Sequence, residues 1–106
     1  MLLLAASYLS LQVLDLSSNA LSGGVPSAIG NFSRLRILNI SRNSLGGFIP
    51  PSVGDLNTTL ILDLSHNQLN GSIPAEIRGA VSLQELRLDS NFLYGAIIKY
   101  WETVHL

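Results

Sequence analysis

Aliphatic residues recur along this chain at a fixed interval of 24 positions. The columns that are aliphatic in every repeat are Leu14, Leu38, Leu62 and Leu86; Leu16, Ile40, Leu64 and Leu88; Leu21, Leu45, Leu69 and Leu93; and Val25, Ile49, Ile73 and Ile97. The first two columns alternate with polar residues, as Leu14 and Leu16 do with Asp15 and Ser17, which is typical of a short strand with one buried face. Stacking these strands in parallel, about 4.8 Å apart, would bury a continuous core that no single repeat could bury alone.

Polar residues, glycine and proline occupy further columns of the same period. They are Asn19, Asn43, Asn67 and Asn91; Gly23, Gly47, Gly71 and Gly95; and Pro26, Pro50 and Pro74. Each asparagine follows a strand, where its amide can bond backbone groups of its own turn and of the neighbouring turn. The glycines permit backbone conformations or close approaches that a Cβ would hinder. We expect Ile29, Val53 and Ile77 to anchor short helical or 3₁₀ segments, and Gly30 and Gly54 to end them.

The repeat units are therefore 11–34, 35–58, 59–82 and 83–106, and residues 1–10 are interpreted as the remnant of a preceding repeat. Thr59 replaces the first leucine of the third unit, which a modest local repacking would accommodate. The fourth unit is degenerate after Ile97. There, Ile98 stands in place of proline and Glu102 in place of glycine, and Ile97, Trp101 and Val104 recur at helical spacing. This end is either a makeshift cap or sequence joined to the repeats by truncation or a misread gene structure, and the abrupt loss of the pattern after Ile97 favours the second alternative.

The pattern Leu-x-x-Leu-x-Leu-x-x-Asn-x-Leu-x-Gly-x-Ile-Pro, carried by 11–26, 35–50 and 59–74, resembles the plant-type extracellular leucine-rich repeat. Such repeats occur in receptor-like kinases, receptor-like proteins and polygalacturonase inhibitors. The resemblance implies an α/β solenoid: a right-handed coil of four 24-residue repeats, with a parallel concave β-sheet and short helical or 3₁₀ segments on the convex side. It also implies an extracellular or plasma-membrane ectodomain. The cysteine-bearing caps of the family are missing, so we expect self-association through uncapped ends.

Composition narrows the function classes. Hydrophobic residues make up 47% of the 106 residues and charged residues 12%, with a net charge of −1 and no cysteine. This apolar content excludes a disordered chain, and six Lys+Arg against seven Asp+Glu argue against nucleic-acid binding. The chain contains no run of about 18 apolar residues, so the sequence predicts no membrane span. The first positive charge is Arg34, so residues 1–10 lack the basic start of a convincing signal peptide.

The residue types of a hydrolytic site are present without the expected arrangement. Asp63, Ser65 and His66 are a potential triad, but direct neighbours on a strand rarely align as nucleophile and base. Asp15 lies two repeats from Asp63, roughly 10 Å away, which is too far for most glycosidase pairs. His66 and His105 have no partners at metal-ligand spacing. The sequence therefore predicts no enzyme, no metal and no cofactor.

A binding surface is predicted on the outward side of the concave strands. Its candidate residues are Val13, Asp15, Arg36, Ile37, Asn39, Arg42, Ile61, Asp63, His66, Glu85 and Arg87. Val13, Ile37 and Ile61 would form an aliphatic stripe flanked by charges, a combination suited to a peptide or protein partner. The alternatives are a solvated face and lateral packing of β-branched side chains.

Four sequons, at Asn31, Asn39, Asn57 and Asn70, are candidate glycosylation sites. Asn31 and Asn57 are the best placed of the four, because they fall near turns at repeat ends, whereas a glycan on Asn39 would block the predicted face.

The leading functional hypothesis is a non-catalytic recognition module from a receptor-like ectodomain, which binds a peptide or protein ligand and a co-receptor. A secreted inhibitor of the polygalacturonase-inhibiting type and a gene fragment without autonomous function are the alternatives.

Overall fold

The computed structural model describes residues 10–95 of the chain as a stack of short strands and 3₁₀ segments. The strands are β1 (Val13–Asp15), β2 (Ser22–Gly24), β3 (Ile37–Asn39), β4 (Ser44–Gly47), β5 (Ile61–Asp63), β6 (Gln68–Ser72), β7 (Glu85–Arg87) and β8 (Phe92–Tyr94). The predictions for residues 1–9 and for positions from Ile97 onward, including Trp101, Glu102, Val104 and His105, lie outside these described residues.

The odd-numbered strands form one parallel sheet, in the order β1-β3-β5-β7, which we call the first sheet. Its register pairs residues one full period apart, so that Leu14 lies beside Leu38, Leu38 beside Leu62, and Leu62 beside Leu86. Leu38 and Leu62 are fully buried, because each has a neighbouring strand on both sides. The predicted parallel sheet with one buried face is confirmed.

The remaining strands form a second parallel sheet of order β2-β4-β6-β8, which the sequence did not predict. Its partners are offset by 22 residues instead of 24, as in Ser22 with Ser44 and Asn70 with Phe92. The strands β2, β4 and β6 are rich in serine, glycine, asparagine and glutamine, residues with little strand preference. Packing of the buried Leu45 and Leu69, rather than local propensity, therefore holds β4 and β6 in this sheet.

The coil is closed on its remaining side by the 3₁₀ segments Ser27–Asn31, Pro51–Asp55 and Ala75–Gly79. A proline from the Pro column precedes each segment in an extended conformation, with φ between −72° and −66°. Each segment buries one aliphatic side chain, namely Ile29, Val53 and Ile77. The predicted anchors are therefore correct.

The predicted role of Gly30 and Gly54 is wrong. Both lie inside their 3₁₀ segments and do not end them in the left-handed conformation. They are required by close stacking of successive segments instead. A Cβ on Gly30 would come within 2.7 Å of the carbonyl oxygen of Ser52, and a Cβ on Gly54 would clash with that of Glu76.

Thr59 fits the core through a hydrogen bond. Its side chain is fully buried, and its hydroxyl donates to the carbonyl oxygen of Leu35 at 3.0 Å. The neighbouring Thr58 hydroxyl donates to the same carbonyl at 2.9 Å. A buried hydroxyl with a partner costs little, which explains how the repeat tolerates threonine in place of leucine.

Candidate binding face on the first sheet

The asparagine column holds the edge of the first sheet in place. The Asn67 Nδ2 donates to the carbonyl oxygens of Leu64 and Ser65 in its own turn and of Ile40 in the preceding repeat, at 3.0–3.2 Å. Its Oδ1 accepts from the backbone N–H of Leu45 at 3.1 Å. Asn43 and Asn91 make the same four contacts one repeat earlier and one repeat later.

A second repeated motif lies at the ends of β1, β3 and β5 in the first sheet. The Asp15 Oδ1 accepts from both the N–H and the hydroxyl of Ser17, at 2.9 and 2.6 Å. Asp63 accepts in the same way from Ser65, at 3.0 and 2.6 Å, and Asn39 accepts from the N–H of Ser41 at 3.0 Å. This motif was not predicted from the sequence, although Asp/Asn-x-Ser at a strand end is the signal of such a turn.

These turns orient the acidic candidates. Each carboxylate commits one oxygen to its turn, so the side chain is positioned before any partner arrives. The hydroxyl of Ser17, together with its backbone N–H, holds the pKa of Asp15 below the ordinary value. Asp15 therefore stays negatively charged in mildly acidic solution.

The next column has a left-handed backbone that the sequence did not reveal. Ser18, Arg42, His66 and Ser90 have φ between 56° and 59°. This conformation is uncommon for residues with a Cβ. The amide of Arg42 donates to the carbonyl oxygen of Ser65, and that of His66 donates to Asp89, at 3.0 and 2.9 Å. Candidates Arg42 and His66 thus extend from a turn that is hydrogen-bonded to the following repeat.

The aliphatic candidates lie side by side. Val13 pairs with Ile37, Ile37 with Ile61, and Ile61 with Glu85. Val13 is 55% exposed, and Ile37 and Ile61 are half-buried. Because the buried leucines alternate with them, these side chains project from the outward face of the sheet. We call Val13, Ile37 and Ile61 the aliphatic row.

The charged and polar candidates form a parallel row on the same face. Asp15 pairs with Asn39, Asn39 with Asp63, and Asp63 with Arg87. They stand two residues beyond the aliphatic row in each strand, so the two rows point the same way. We call Asp15, Asn39, Asp63 and Arg87 the polar row.

A charge cluster borders the polar row. The Asp89 carboxylate lies 3.6 Å from the His66 Nε2 and 3.8 Å from the Arg87 Nε. All three side chains are more than a third exposed, so solvent screens these pairs. Asp89 was not among the predicted site residues. Of the remaining candidates, Arg36 precedes β3 and is exposed.

The potential triad has the wrong geometry for nucleophilic catalysis. Ser65 is 2% exposed, and its hydroxyl donates to Asp63. His66 instead lies against Asp89. Within residues 10–95, no group of three or more His, Cys, Asp or Glu side chains could hold a metal ion.

Family models match most of the chain. A leucine rich repeat model matches residues 33–93, and a second one matches residues 10–32. The chain belongs to the leucine-rich repeat family. No curated protein is significantly similar to it.

The similar solved structures are mostly plant receptor ectodomains. A chain of the BIR3–SERK2 complex from Arabidopsis thaliana is 44% identical, with a TM-score of 0.77 over 81% of this leucine-rich repeat chain. The Arabidopsis receptor kinase HAESA, in complex with the peptide hormone IDA and the co-receptor SERK1, is 40% identical, with a TM-score of 0.77 over 80%. These likenesses identify the chain as a plant-type extracellular leucine-rich repeat.

A plant ice-binding protein is also similar, at 35% identity and a TM-score of 0.75 over 80% of this chain. The chain spans 46% of the BIR3–SERK2 match, 14% of the HAESA match and 27% of the ice-binding protein. Since one fold serves several functions, the function must be argued from the face itself. Among the described residues, no helix has the length and apolarity that a membrane crossing requires.

Proposed function

We propose that the first sheet is a recognition surface for an extracellular peptide or protein, and that the chain acts as part of a receptor-type ectodomain. The observation that carries this proposal is the aliphatic row beside the polar row. Apolar anchors next to oriented charges are what a specific protein contact requires.

The rigidity of the face supports the proposal. Its strand ends are held by the asparagine ladder and by the Asp-x-Ser turns. A surface that is already ordered loses little entropy when it binds, so more of the contact energy is retained as affinity. The curved sheets of solenoid proteins are used as extended binding surfaces in the same way.

The chemistry of the two rows defines the partner. Val13, Ile37 and Ile61 favour aliphatic or aromatic side chains, whereas Asp15 and Asp63 favour basic groups. Arg87 at the other end of the polar row favours a carboxylate. The matching partner is an extended peptide segment of several residues. Its apolar side would lie on the aliphatic row, its basic group near Asp15 or Asp63, and its acidic group near Arg87.

The complexes of the relatives support the same class of partner. HAESA is seen with a peptide hormone and a co-receptor, and BIR3 with SERK2. We therefore propose a secreted peptide or a second leucine-rich repeat ectodomain as the partner, an extracellular location, and a non-catalytic role. In a longer receptor, binding at this face would be passed to other domains.

The test is a binding screen against synthetic secreted plant peptides and purified receptor ectodomains, with a pectin-cleaving enzyme as a separate arm. Binding of a peptide or ectodomain that is lost in Ile37→Asp and kept in Val81→Asp supports recognition through this face. Inhibition of the pectin-cleaving enzyme would instead identify an inhibitor. Binding that survives Ile37→Asp would place the site elsewhere.

A further inference from the structure

The second sheet exposes a group of aromatic side chains that the recognition face does not use. Phe48 is 67% exposed, and Phe92 and Tyr94 are each 70% exposed. Leu93 packs against the core between Phe92 and Tyr94 of β8, so these two aromatic side chains stand on the outer face, and Phe48 is exposed directly after β4. Among residues 10–95, these are the aromatic side chains that are exposed, since Phe32 is buried.

All three surround one sequon, Asn70-Gly71-Ser72. Asn70 pairs with Phe92, and Ser72 pairs with Tyr94. On the other side, the pairing of β4 with β6 ends at Gly47 and Leu69, and Phe48 follows directly after it in the chain. A Cβ on Gly71 would lie 4.0 Å from the Phe48 Cβ, so Phe48 lies next to the middle residue of the sequon. Phe92 therefore lies one strand spacing, about 4.8 Å, from Asn70, and Phe48 lies next to Gly71 on the other side of the sequon.

We propose that Asn70 carries an N-linked glycan whose first N-acetylglucosamine packs against Phe48 and Phe92. The apolar faces of a pyranose ring can lie against an aromatic ring, as other apolar groups do. The sugar would cover aromatic surface that is otherwise in water, and its polar groups would remain solvated.

The modification is a glycosyl transfer from a lipid-diphosphate-linked oligosaccharide in the secretory pathway. A bond forms between the Asn70 Nδ2 and the anomeric carbon of the sugar. The anomeric carbon–oxygen bond breaks, and its electron pair leaves with the lipid diphosphate. The amide nitrogen loses one proton. Asn70 is exposed in β6, so the finished glycan extends into solvent.

The other sequons lack this setting. Asn39 is half-buried on the first sheet, and its Oδ1 is engaged by the N–H of Ser41. Asn31 and Asn57 are exposed, at the end of the first 3₁₀ segment and just after the second. Neither pairs with an aromatic side chain across a sheet among the described residues. A glycan on Asn70 would also leave the first sheet uncovered, because Asn70 belongs to the second sheet.

The test begins with secretion of the full 106-residue chain from plant cells with an added leader, followed by a glycopeptide mass map. We expect Asn70 to be occupied. The packing is then tested by comparing Asn70→Gln with its parent, both in the native background and in Phe48→Ala/Phe92→Ala. Asn57→Gln in the same two backgrounds is the matched control.

We expect Asn70→Gln to lower the Tm by about 4 °C in the native background and by less than about 1 °C without the phenylalanines. Asn57→Gln should have equal effects in both backgrounds. Proton NMR provides a second readout, because the ring currents of Phe48 and Phe92 should shift the resonances of the first sugar upfield. An unmodified Asn70 overturns the proposal, and so does an occupied Asn70 with equal Tm effects and unshifted sugar resonances.

Discussion

The side-chain Nδ2 of Asn67 lies 3.0 Å from the carbonyl oxygen of Ile40, 27 residues earlier in the chain. This hydrogen bond joins the turn of one repeat to the end of the preceding strand. The same side chain also accepts from Leu45, so a single amide connects three backbone segments. The ladder thus makes neighbouring repeats cooperative, because loss of one asparagine frees polar groups in two of them.

Asn67→Ala should lower the free energy of unfolding by about 3 kcal/mol, because it leaves a buried N–H and buried carbonyls without a partner. The matched variant is Asn19→Ala. Asn19 is exposed and bonds the carbonyls of Leu16 and Ser17 in its own turn, so its loss should cost less than about 1 kcal/mol. Urea unfolding followed by circular dichroism measures both. Equal costs would show that the contacts between repeats add nothing.

Gly54→Ala should destabilise the chain by about 2 kcal/mol or more, since its Cβ would clash with the backbone of Glu76. Gly24→Ala is the control. A Cβ there meets only the carbonyl oxygen of Gly46, at 3.8 Å, so the change should be neutral or stabilising by up to about 1 kcal/mol. Thermal unfolding distinguishes the two positions. A neutral Gly54→Ala would mean that the 3₁₀ segments are free to move apart.

At Arg42, where the backbone is left-handed, substitution by asparagine should preserve the stability of the fold and substitution by valine should lower it. Arg42→Asn keeps a residue that tolerates φ near 57°, whereas Arg42→Val places a β-branched side chain there and should cost about 1–2 kcal/mol. Chemical denaturation of the two variants gives the difference. If both were equally stable, the turn would have another conformation. For removing the charge in binding studies, Arg42→Asn is therefore the appropriate variant.

Asp15 should titrate below the ordinary range of an aspartate, because Ser17 donates two hydrogen bonds to its charged form. A depressed pKa in the folded state stabilises the fold above the pKa of the unfolded chain. This stabilisation is lost as the pH falls through the folded-state pKa. Ser17→Ala removes the hydroxyl and should raise the pKa of Asp15, as measured by NMR titration of its carboxyl carbon. An unchanged pKa would assign the shift to another cause.

The repeated columns explain why much of the fold could be predicted from the sequence. Leu38, Leu62 and Asn67 each have a local role that recurs in every unit, so periodicity alone indicates the first sheet. The second sheet could not be predicted in this way. Ser22 and Gly24 have little strand preference. Each pairs with a residue 22 positions later, instead of one period of 24, and this offset follows from how the whole coil packs.

The binding face was predictable in part. The aliphatic and polar rows follow from strand alternation, which places Ile37 and Asn39 on the outward face. The left-handed backbone at His66 and the contact of its Nε2 with the Asp89 carboxylate depend on the turn geometry, which periodicity does not encode. The prediction for Gly54 was wrong for a different reason. Glycine commonly ends helices, but here it is required because a Cβ would clash with the backbone of Glu76.

The most direct test of the central proposal is the affinity of Ile61→Asp for a peptide or ectodomain ligand from the screen. Ile61 is half-buried in the middle of the first sheet, between Ile37 and Glu85. Val81→Asp, at a position that is 76% exposed and outside both sheets, is the control for adding a charge. We predict at least a tenfold loss of affinity for Ile61→Asp, which is about 1.4 kcal/mol, and none for Val81→Asp, with both proteins folded by circular dichroism. Equal affinities of Ile61→Asp and the unmodified chain would contradict recognition through the first sheet.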